Sequence, residues 1–266
     1  MNKQKIMELV KDALGDVTLD FQTVQKNNAA LHGVVIKKTT ETIAPTIYYN
    51  PDESAEIIAD KIITAYKSLP DFSIDPRQIM ERDFILRNVR PQIVATKNNA
   101  DYLAGKFYTE FHDLAVLYRV WINSESSFVI HPDHLVMAGI KTEEIHSAAL
   151  ENLKKDVDIL PMGVMLGLPD DADCPFYIAT NHSRSYGAAV VLLPEVLKAL
   201  AERLHGDFWI IPSSIHEILA ISAETCDDPV RLSGMICVVN AQEVDAQDQL
   251  TDHPYFYNNE RGMIEL

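Results

Sequence analysis

Apolar and polar positions along the first fifty residues change from a helical to a strand period. Apolar residues recur every three or four positions over residues 3–14, and a glycine follows, which predicts one helix. Two apolar segments, Val17–Val24 and Leu31–Lys37, flank the turn residues Lys26–Asn28. A third segment, Ile43–Tyr49, has the same character. The pattern therefore predicts an N-terminal helix followed by a three-stranded meander.

The middle of the chain mixes both periods. The run Leu114–Ile122 (LAVLYRVWI) is almost continuously apolar, which is typical of a strand buried on both faces. The stretch Thr142–Ile145 (TEEI) resembles a capping box if Thr142 is the N-cap. Three helices are predicted between residues 50 and 153: one that begins at Asn50–Glu53, one over Pro132–Ala138 and one over Thr142–Leu153. The predicted strands of this region are Ile85–Val89, Leu114–Ile122 and Phe128–Ile130.

Residues 176–221 are the most informative stretch for the fold. They predict a strand, a polar turn, an apolar segment, a proline-started helix, a second strand, a Pro-Ser-Ser turn and a third strand. A helix over Val230–Asn240 and a terminal hairpin of Tyr255–Tyr257 with Met263–Glu265 follow. Because helices and strands do not alternate regularly, the predicted class is α+β.

Domain organisation is open to two interpretations. Residues 154–175 contain proline, glycine and several acids, which is typical of a loop or linker. The chain is therefore predicted either as one α+β domain over 1–266 or as two subdomains, 1–153 and 176–266, that this acidic loop joins.

Negative charge is concentrated in the second half of the chain. Residues 1–142 contain 18 Asp and Glu against 16 Lys and Arg, whereas residues 143–266 contain 21 against 7. A field of this sign repels phosphate backbones, so we expect no direct binding of nucleic acid. The acidic charge is compatible with three explanations: a basic protein surface as partner, an acidic mimic of nucleic acid, or a surface that is acidic for solubility alone. The acids lie in loop-like clusters, which speaks against a regular mimic.

Composition and cysteine usage bound the location. No apolar run approaches the roughly 20 residues that cross a bilayer, and the N-terminus lacks the apolar core of a signal peptide. Cys174, Cys226 and Cys237 are unevenly spaced, which indicates reduced thiols. We therefore expect a cytoplasmic protein without a membrane segment.

The segment Pro212–Glu217 holds the candidate catalytic residues. In an extended chain Ser214 and His216 share a face, and a hydroxyl beside an imidazole is half of a nucleophilic apparatus. Asp252 is the candidate acid from elsewhere in the chain. No G-x-S-x-G elbow is present, and the serines can equally shape a turn or cap a short helix.

A second polar segment, 181–187, offers candidate ligand-binding residues. Asn181, Arg184 and Tyr186 combine turn chemistry with a guanidinium that suits phosphate or carboxylate, although an ordinary turn explains them as well. The neighbouring histidines His131 and His134 lack nearby thiols, so no metal site is expected. No phosphate-binding glycine loop occurs, and no cofactor is expected.

Several segments together resemble a known family. They are YIATNHSRSYGAAVVLLPEVLKALAERL, DFWIIPSSIHEILAI, APTIYYN, the Lys-Asn-Asn turn and residues 251–257 (TDHPYFY). This combination resembles the bacterial domain-of-unknown-function family DUF5688 along nearly the whole chain. The resemblance implies an intracellular α+β protein, often from gut anaerobes and their mobile elements, and it implies no substrate, cofactor or catalytic residue. More distantly, the order of elements is similar to the YtpQ-like family, also without an assigned activity.

Three functions follow as hypotheses. The first is a non-enzymatic binding or accessory protein, whose acidic C-terminal half faces a basic partner. The second is a hydrolase that uses Ser214 and His216. The third is an acidic nucleic-acid mimic that inhibits a DNA- or RNA-binding enzyme. The absence of a phosphate loop, a metal set and a spaced triad favours the first.

Overall fold

The structure, a computed structural model, describes residues 2–38, 44–68, 75–124, 126–165, 176–226 and 228–265. Contacts within the chain divide it into two compact units, Met1–Ile79 and Met80–Leu266. Helices and antiparallel strands occur in both units, so the protein has the predicted α+β fold.

The first unit packs helices against a small antiparallel sheet. Strands β1 and β2 pair in register from Val17↔Lys38 to Lys26↔Ala29, and β3 pairs with β2. The turn between β1 and β2 places Asn28 at φ +50°, a left-handed conformation that asparagine tolerates. The elements of this unit are α1 (Lys3–Leu14), β1 (Val17–Lys26), β2 (Ala29–Lys38), β3 (Thr46–Tyr48), α2 (Ala55–Lys67) and α3 (Pro76–Ile79).

Helices α1 and α2 contact each other and cover a core of their own. Each begins at a side-chain cap: Asn2 accepts a hydrogen bond from the Lys5 N–H, and Ser54 accepts one from the Ile57 N–H. The predicted helix and meander are confirmed, and residue 43 of the predicted third strand lies outside the described residues. The buried apolar side chains of this core are Ile6, Val10, Val17, Leu19, Val34, Ile36, Tyr49, Ile58, Ala59 and Ile62.

The described residues of the second unit form two antiparallel sheets and the helices around them. Its helices are α4 (Arg82–Asn88), α5 (Ala100–Leu103), α6 (Pro132–Ala138), α7 (Thr142–Lys154), α8 (Met162–Met165), α9 (Pro194–Leu204) and α10 (Pro229–Glu243), with 3-10 helices at Gly187–Leu192 and Ala246–Asp248. Its strands are β4 (Val89–Ala95), β5 (Tyr108–Phe111), β6 (Leu114–Trp121), β7 (Ser127–Val129), β8 (Val157–Pro161), β9 (Phe176–Asn181), β10 (Phe208–Ile211), β11 (Ile218–Ser222), β12 (Tyr255–Asn258) and β13 (Met263–Glu265).

Strand β6 is the centre of the smaller sheet. It pairs with β4 along one side and with β5 and β7 along the other, and its residues Leu114–Val120 are all buried. This confirms the prediction of a strand buried on both faces. The larger sheet has the order β13-β12-β10-β11-β9-β8, with every pair antiparallel.

The apolar segment after β9 forms the first 3-10 helix. Its residues Ala188, Ala189 and Val190 are fully buried, and the helix contacts β4 of the smaller sheet and β9 and β11 of the larger one. The predicted strand–apolar segment–helix–strand–turn–strand unit and the terminal hairpin are thereby confirmed.

Two local predictions are wrong. Residues 85–88, expected in a strand, belong to α4, where Asp83 in the first turn and Arg87 in the last suit the helix dipole, and the strand begins at Val89. Thr142 is the first helical residue of α7, and the N-cap is Lys141, which makes no side-chain cap.

The predicted loop 154–175 is only partly a loop. Residues 157–165 form β8 and α8, and residues 166–175 lie outside the described residues. The loop falls inside the second compact unit, and the subdomain border proposed there stays a prediction. Within the described part of the chain, no helix is long and apolar enough to cross a membrane.

Candidate functional site

Asn181 organises the polar turn that follows β9. Its Oδ1 accepts hydrogen bonds from the Ser185 N–H at 3.0 Å and the Ser183 hydroxyl at 3.2 Å, and its Nδ2 donates to the Ser185 carbonyl at 2.9 Å. The Asn181 side chain is buried. This candidate ligand residue therefore closes its own turn, as asparagine commonly does.

Gly187 brings this turn against the turn between β10 and β11. A Cβ atom at position 187 would lie 2.2 Å from Thr180 Oγ1, 2.5 Å from the His216 carbonyl oxygen and 2.7 Å from the Asn181 nitrogen. Only a residue without a side chain permits so close an approach. The Thr180 hydroxyl also donates to the His216 carbonyl at 2.7 Å, which ties the two turns together.

His216 is fixed in one neutral tautomer. The Tyr186 N–H donates to His216 Nδ1 at 3.1 Å, so this nitrogen is an acceptor. His216 Nε2 lies 3.3 Å from Asp248 Oδ1 and donates to it. Both ring nitrogens are engaged, and the imidazole has no lone pair left for a general base.

The three candidate catalytic residues do not meet in one hydrogen-bonded triad. Ser214 Oγ accepts the His216 backbone N–H at 3.0 Å, which closes the turn after Pro212, and no hydrogen bond joins it to the imidazole in the described chain. Asp252 accepts from the Asn240 amide at 3.0 Å. The acid beside His216 is Asp248. The hydrolase hypothesis stays a prediction that these contacts do not support.

Tyr186 connects the turn to a buried arginine of β6. The Tyr186 backbone is left-handed, with φ +58°, and its ring lies 5.6 Å from the His216 ring. The Arg119 Cζ atom lies 4.5 Å from the centre of the Tyr186 ring, a cation–π distance. Trp121 lies 6.2 Å from the same ring. We call Arg119, Trp121, Tyr186 and His216 the Tyr186 cluster.

Sequence reasoning found Tyr186 and His216 but missed Arg119 and Trp121. The available signal was a single charged residue inside the apolar run LAVLYRVWI. The third candidate ligand residue, Arg184, is exposed on the outside of the turn, and its N–H donates to the Asn181 carbonyl at 2.9 Å.

A second polar cluster joins the turn before β6 to the start of β12. Asp113 accepts from the Tyr255 hydroxyl at 2.7 Å through Oδ1 and pairs with His253 Nε2 at 2.9 Å through Oδ2. Burial raises the pKa of Asp113, but the bonds from Tyr255 and His253 outweigh it and hold that pKa below its usual value. Burial, followed by the bond to Asp113, raises the pKa of Tyr255.

Three further histidines of the second unit make separate contacts. His134 Nδ1 accepts from the His131 N–H at 3.3 Å, and burial lowers the pKa of His134. His146 Nδ1 lies 2.7 Å from the Tyr118 hydroxyl. No group of three or more His, Cys, Asp or Glu that could hold a metal ion occurs among the residues that the structure describes.

Helix α10 exposes apolar side chains to solvent. Its buried row is Leu232, Ile236 and Asn240, one turn apart, and Asn240 donates to the Thr251 carbonyl at 3.1 Å. The exposed sides combine apolar with polar residues: Val230 is 79% exposed and Val238 54%, and Arg231, Gln242 and Glu243 are exposed as well. We call six of its exposed residues the outer α10 face: Val230, Gly234, Met235, Cys237, Val238 and Val239.

The fold and these contacts define an α+β protein of two compact units with a polar cluster and an apolar helix face. A family model described as "Family of unknown function (DUF5688)" matches residues 2–259, and the chain belongs to this family. Neither the curated proteins nor the solved structures gave a significant match. The similarity to the YtpQ-like family stays a prediction.

Proposed function

We propose that the protein is a non-enzymatic binding protein that docks a basic amphipathic segment of a partner protein on the outer α10 face. The observation that carries this proposal is the exposed apolar surface of one helix. Ten large apolar side chains are exposed in the described chain, and four of them, Val230, Met235, Val238 and Val239, lie on α10. Contiguous exposed apolar surface marks interaction sites.

The charge around α10 supports a basic partner. Residues 223–252 contain seven Asp and Glu and one arginine, Arg231. Asp228 caps the N-terminus of the helix, and Glu243 and Asp245 lie at and after its C-terminus. An acidic border around an apolar strip favours a segment with lysine or arginine beside apolar anchors. The same border repels a nucleic acid.

The test uses a synthetic helical peptide with leucines along one side and lysines on the others, measured by fluorescence anisotropy. We expect wild-type protein to bind it and Val238→Asp to weaken binding at least about tenfold, or about 1.4 kcal/mol. Because Val238 is an exposed side chain, the thermal midpoint of unfolding should stay the same.

Matched controls separate the apolar face from the acidic field. Val136→Asp places the same charge on α6, where Val136 is 80% exposed, and should leave binding unchanged. A peptide with glutamate in place of lysine should bind weakly. If Val136→Asp and Val238→Asp weaken binding equally, or if the wild type forms a dimer through this face in sedimentation, the proposal fails. If added salt releases the peptide and Val238→Asp does not change its binding, the nucleic-acid mimic is favoured instead.

A further inference from the structure

Among the residues that the structure describes, the buried cation Arg119 has no carboxylate partner. It lies in the middle of β6 and is 9% exposed. Its Nε donates to Gln92 Oε1 at 3.0 Å and its Nη1 to Ser127 Oγ at 2.9 Å, and both partners are neutral. Within the described residues, no Asp or Glu forms an ion pair with it.

Neutral partners for a buried arginine are unusual in a chain with 39 acidic and 23 basic residues. Buried charges in proteins are ordinarily paired with an opposite charge, since removing one from water is costly. The described residues thus orient Arg119 but provide it with no neutralising charge. An anion from outside the chain would supply it.

The guanidinium has donors left for such an anion. Of its five N–H groups, Nε–H and one on Nη1 are used, which leaves the second N–H of Nη1 and both of Nη2. In the described part of the chain, Nη2 donates no hydrogen bond. Nη1 and Nη2 together match the two oxygens of a carboxylate or phosphate.

Planar side chains border this tip and are held in place. The Tyr186 ring covers Arg119 at 4.5 Å, and Trp121 lies 6.2 Å from Tyr186. The bond from the Tyr186 N–H to His216 Nδ1, and the pairing of His216 with Asp248, fix the tyrosine and the imidazole. All three rings are partly exposed.

We infer that the Tyr186 cluster binds the oxyanion of a small planar ligand, with the carboxylate or phosphate on Arg119 and the planar part against Tyr186 and Trp121. The ligand class is thus an aromatic or heterocyclic acid or phosphate. This inference does not depend on the proposed docking at α10.

Tryptophan fluorescence provides the test, since the chain has two tryptophans. The second tryptophan, Trp209, donates to the Cys226 carbonyl at 2.8 Å and packs on Phe256. The substitution Trp209→Phe removes it and leaves Trp121 as the sole tryptophan. Benzoate, phenyl phosphate and inorganic phosphate are titrated against sodium chloride of equal ionic strength. We expect a saturable change in Trp121 emission with benzoate if the ligand is a carboxylate, or with the phosphates if it is a phosphate. A response that chloride reproduces overturns the inference.

Variants assign the response to Arg119. Arg119→Met should weaken the affinity at least about tenfold, because charge-assisted hydrogen bonds are lost. Arg203→Met is the matched control: Arg203 also lies over a tyrosine, 5.7 Å from the Tyr177 ring, and is exposed. Equal loss in both variants, or unchanged affinity in Arg119→Met, contradicts the site.

A measurement on wild-type protein covers the case in which Arg119→Met does not fold. The Arg119 Nε–H donates to the buried Gln92 side chain, so its ¹H–¹⁵N signal should exchange slowly with water. Addition of the responding anion should shift this arginine signal saturably and leave that of the exposed Arg203 in place. The absence of any shifted arginine signal would overturn the inference.

Discussion

The Tyr186 cluster and the outer α10 face depart from the usual distribution of residues in opposite directions. Around the cluster, polar side chains turn inward: Gln92, Thr180 and Asn181 are almost fully buried. On α10, apolar side chains turn outward. Buried polar groups and exposed apolar patches are the informative exceptions in a folded chain, because each requires a compensating partner.

The two regions differ in where that partner is found. Around the cluster, contacts within the chain fix the two turns, as the close approach of Gly187 to the His216 carbonyl shows. The partner that we propose is missing there is one anion at the tip of Arg119. On α10, the chain supplies the inner contacts through Leu232 and Ile236 and leaves the outer face open. Substitutions among the internal contacts of either region should therefore change stability, whereas removal of the Arg119 guanidinium or of the outer α10 side chains should change binding.

The largest expected effect is a difference in the free energy of unfolding between two glycine-to-alanine substitutions, one in each region. Gly187→Ala would force a Cβ atom to within 2.7 Å or less of two backbone atoms and Thr180 Oγ1, and we expect it to lower the free energy of unfolding by at least about 3 kcal/mol. Gly234→Ala, on the outer α10 face with nothing within 4 Å, should raise it by about 0.5–1 kcal/mol. Urea unfolding followed by circular dichroism measures both, and equal effects would remove the distinction.

Next in size is the contrast between the two sides of α10. Ile236→Ala opens a cavity at a buried position and should cost about 2–4 kcal/mol. Val238→Ala, half exposed, should change stability by no more than about 0.5 kcal/mol. The same unfolding assay decides. A large cost at Val238 would mean that the outer face packs within the chain and is no docking surface.

Sequence reasoning recovered the elements with clear periods and missed those without them. Strand β4 was missed because Arg90, Pro91 and Gln92 interrupt its apolar pattern. Proline is tolerated there since β4 lies at the edge of its sheet. Helix α10 was predicted, but its apolar residues are not concentrated on one side, so the sequence does not indicate which side faces solvent.

The site was predictable only as separate segments. Asn181, Tyr186 and His216 stand in turns that composition marks, whereas Arg119 reaches Tyr186 only through tertiary packing. The acid that lies beside His216 is Asp248, at the end of the 3-10 helix Ala246–Asp248, and not the expected Asp252. Local patterns do not specify such long-range pairs.

The smallest expected effect uses Asp113, whose cluster contains its own carboxylate and so contrasts with Arg119. The pKa of Asp113 is lower in the folded state than in the unfolded chain, so its contribution to stability is present above the unfolded pKa and is lost as pH falls through the folded one. Tyr255, whose pKa is raised, stays a phenol donor over this range. The Asp113 side chain is 37% exposed, and the contribution should be below about 1 kcal/mol.

Asp113→Asn should therefore slightly flatten the decline of the unfolding free energy between neutral and acid pH, because it removes the carboxylate that His253 and Tyr255 contact. Urea unfolding at several pH values, with and without benzoate, measures this. Because the Asp113 cluster is complete, its pH dependence should not respond to the added anion, whereas stability linked to Arg119 should rise with it. If benzoate changed the acid decline of wild type and left the stability at neutral pH unaltered, the contrast between the complete and the incomplete cluster would be wrong.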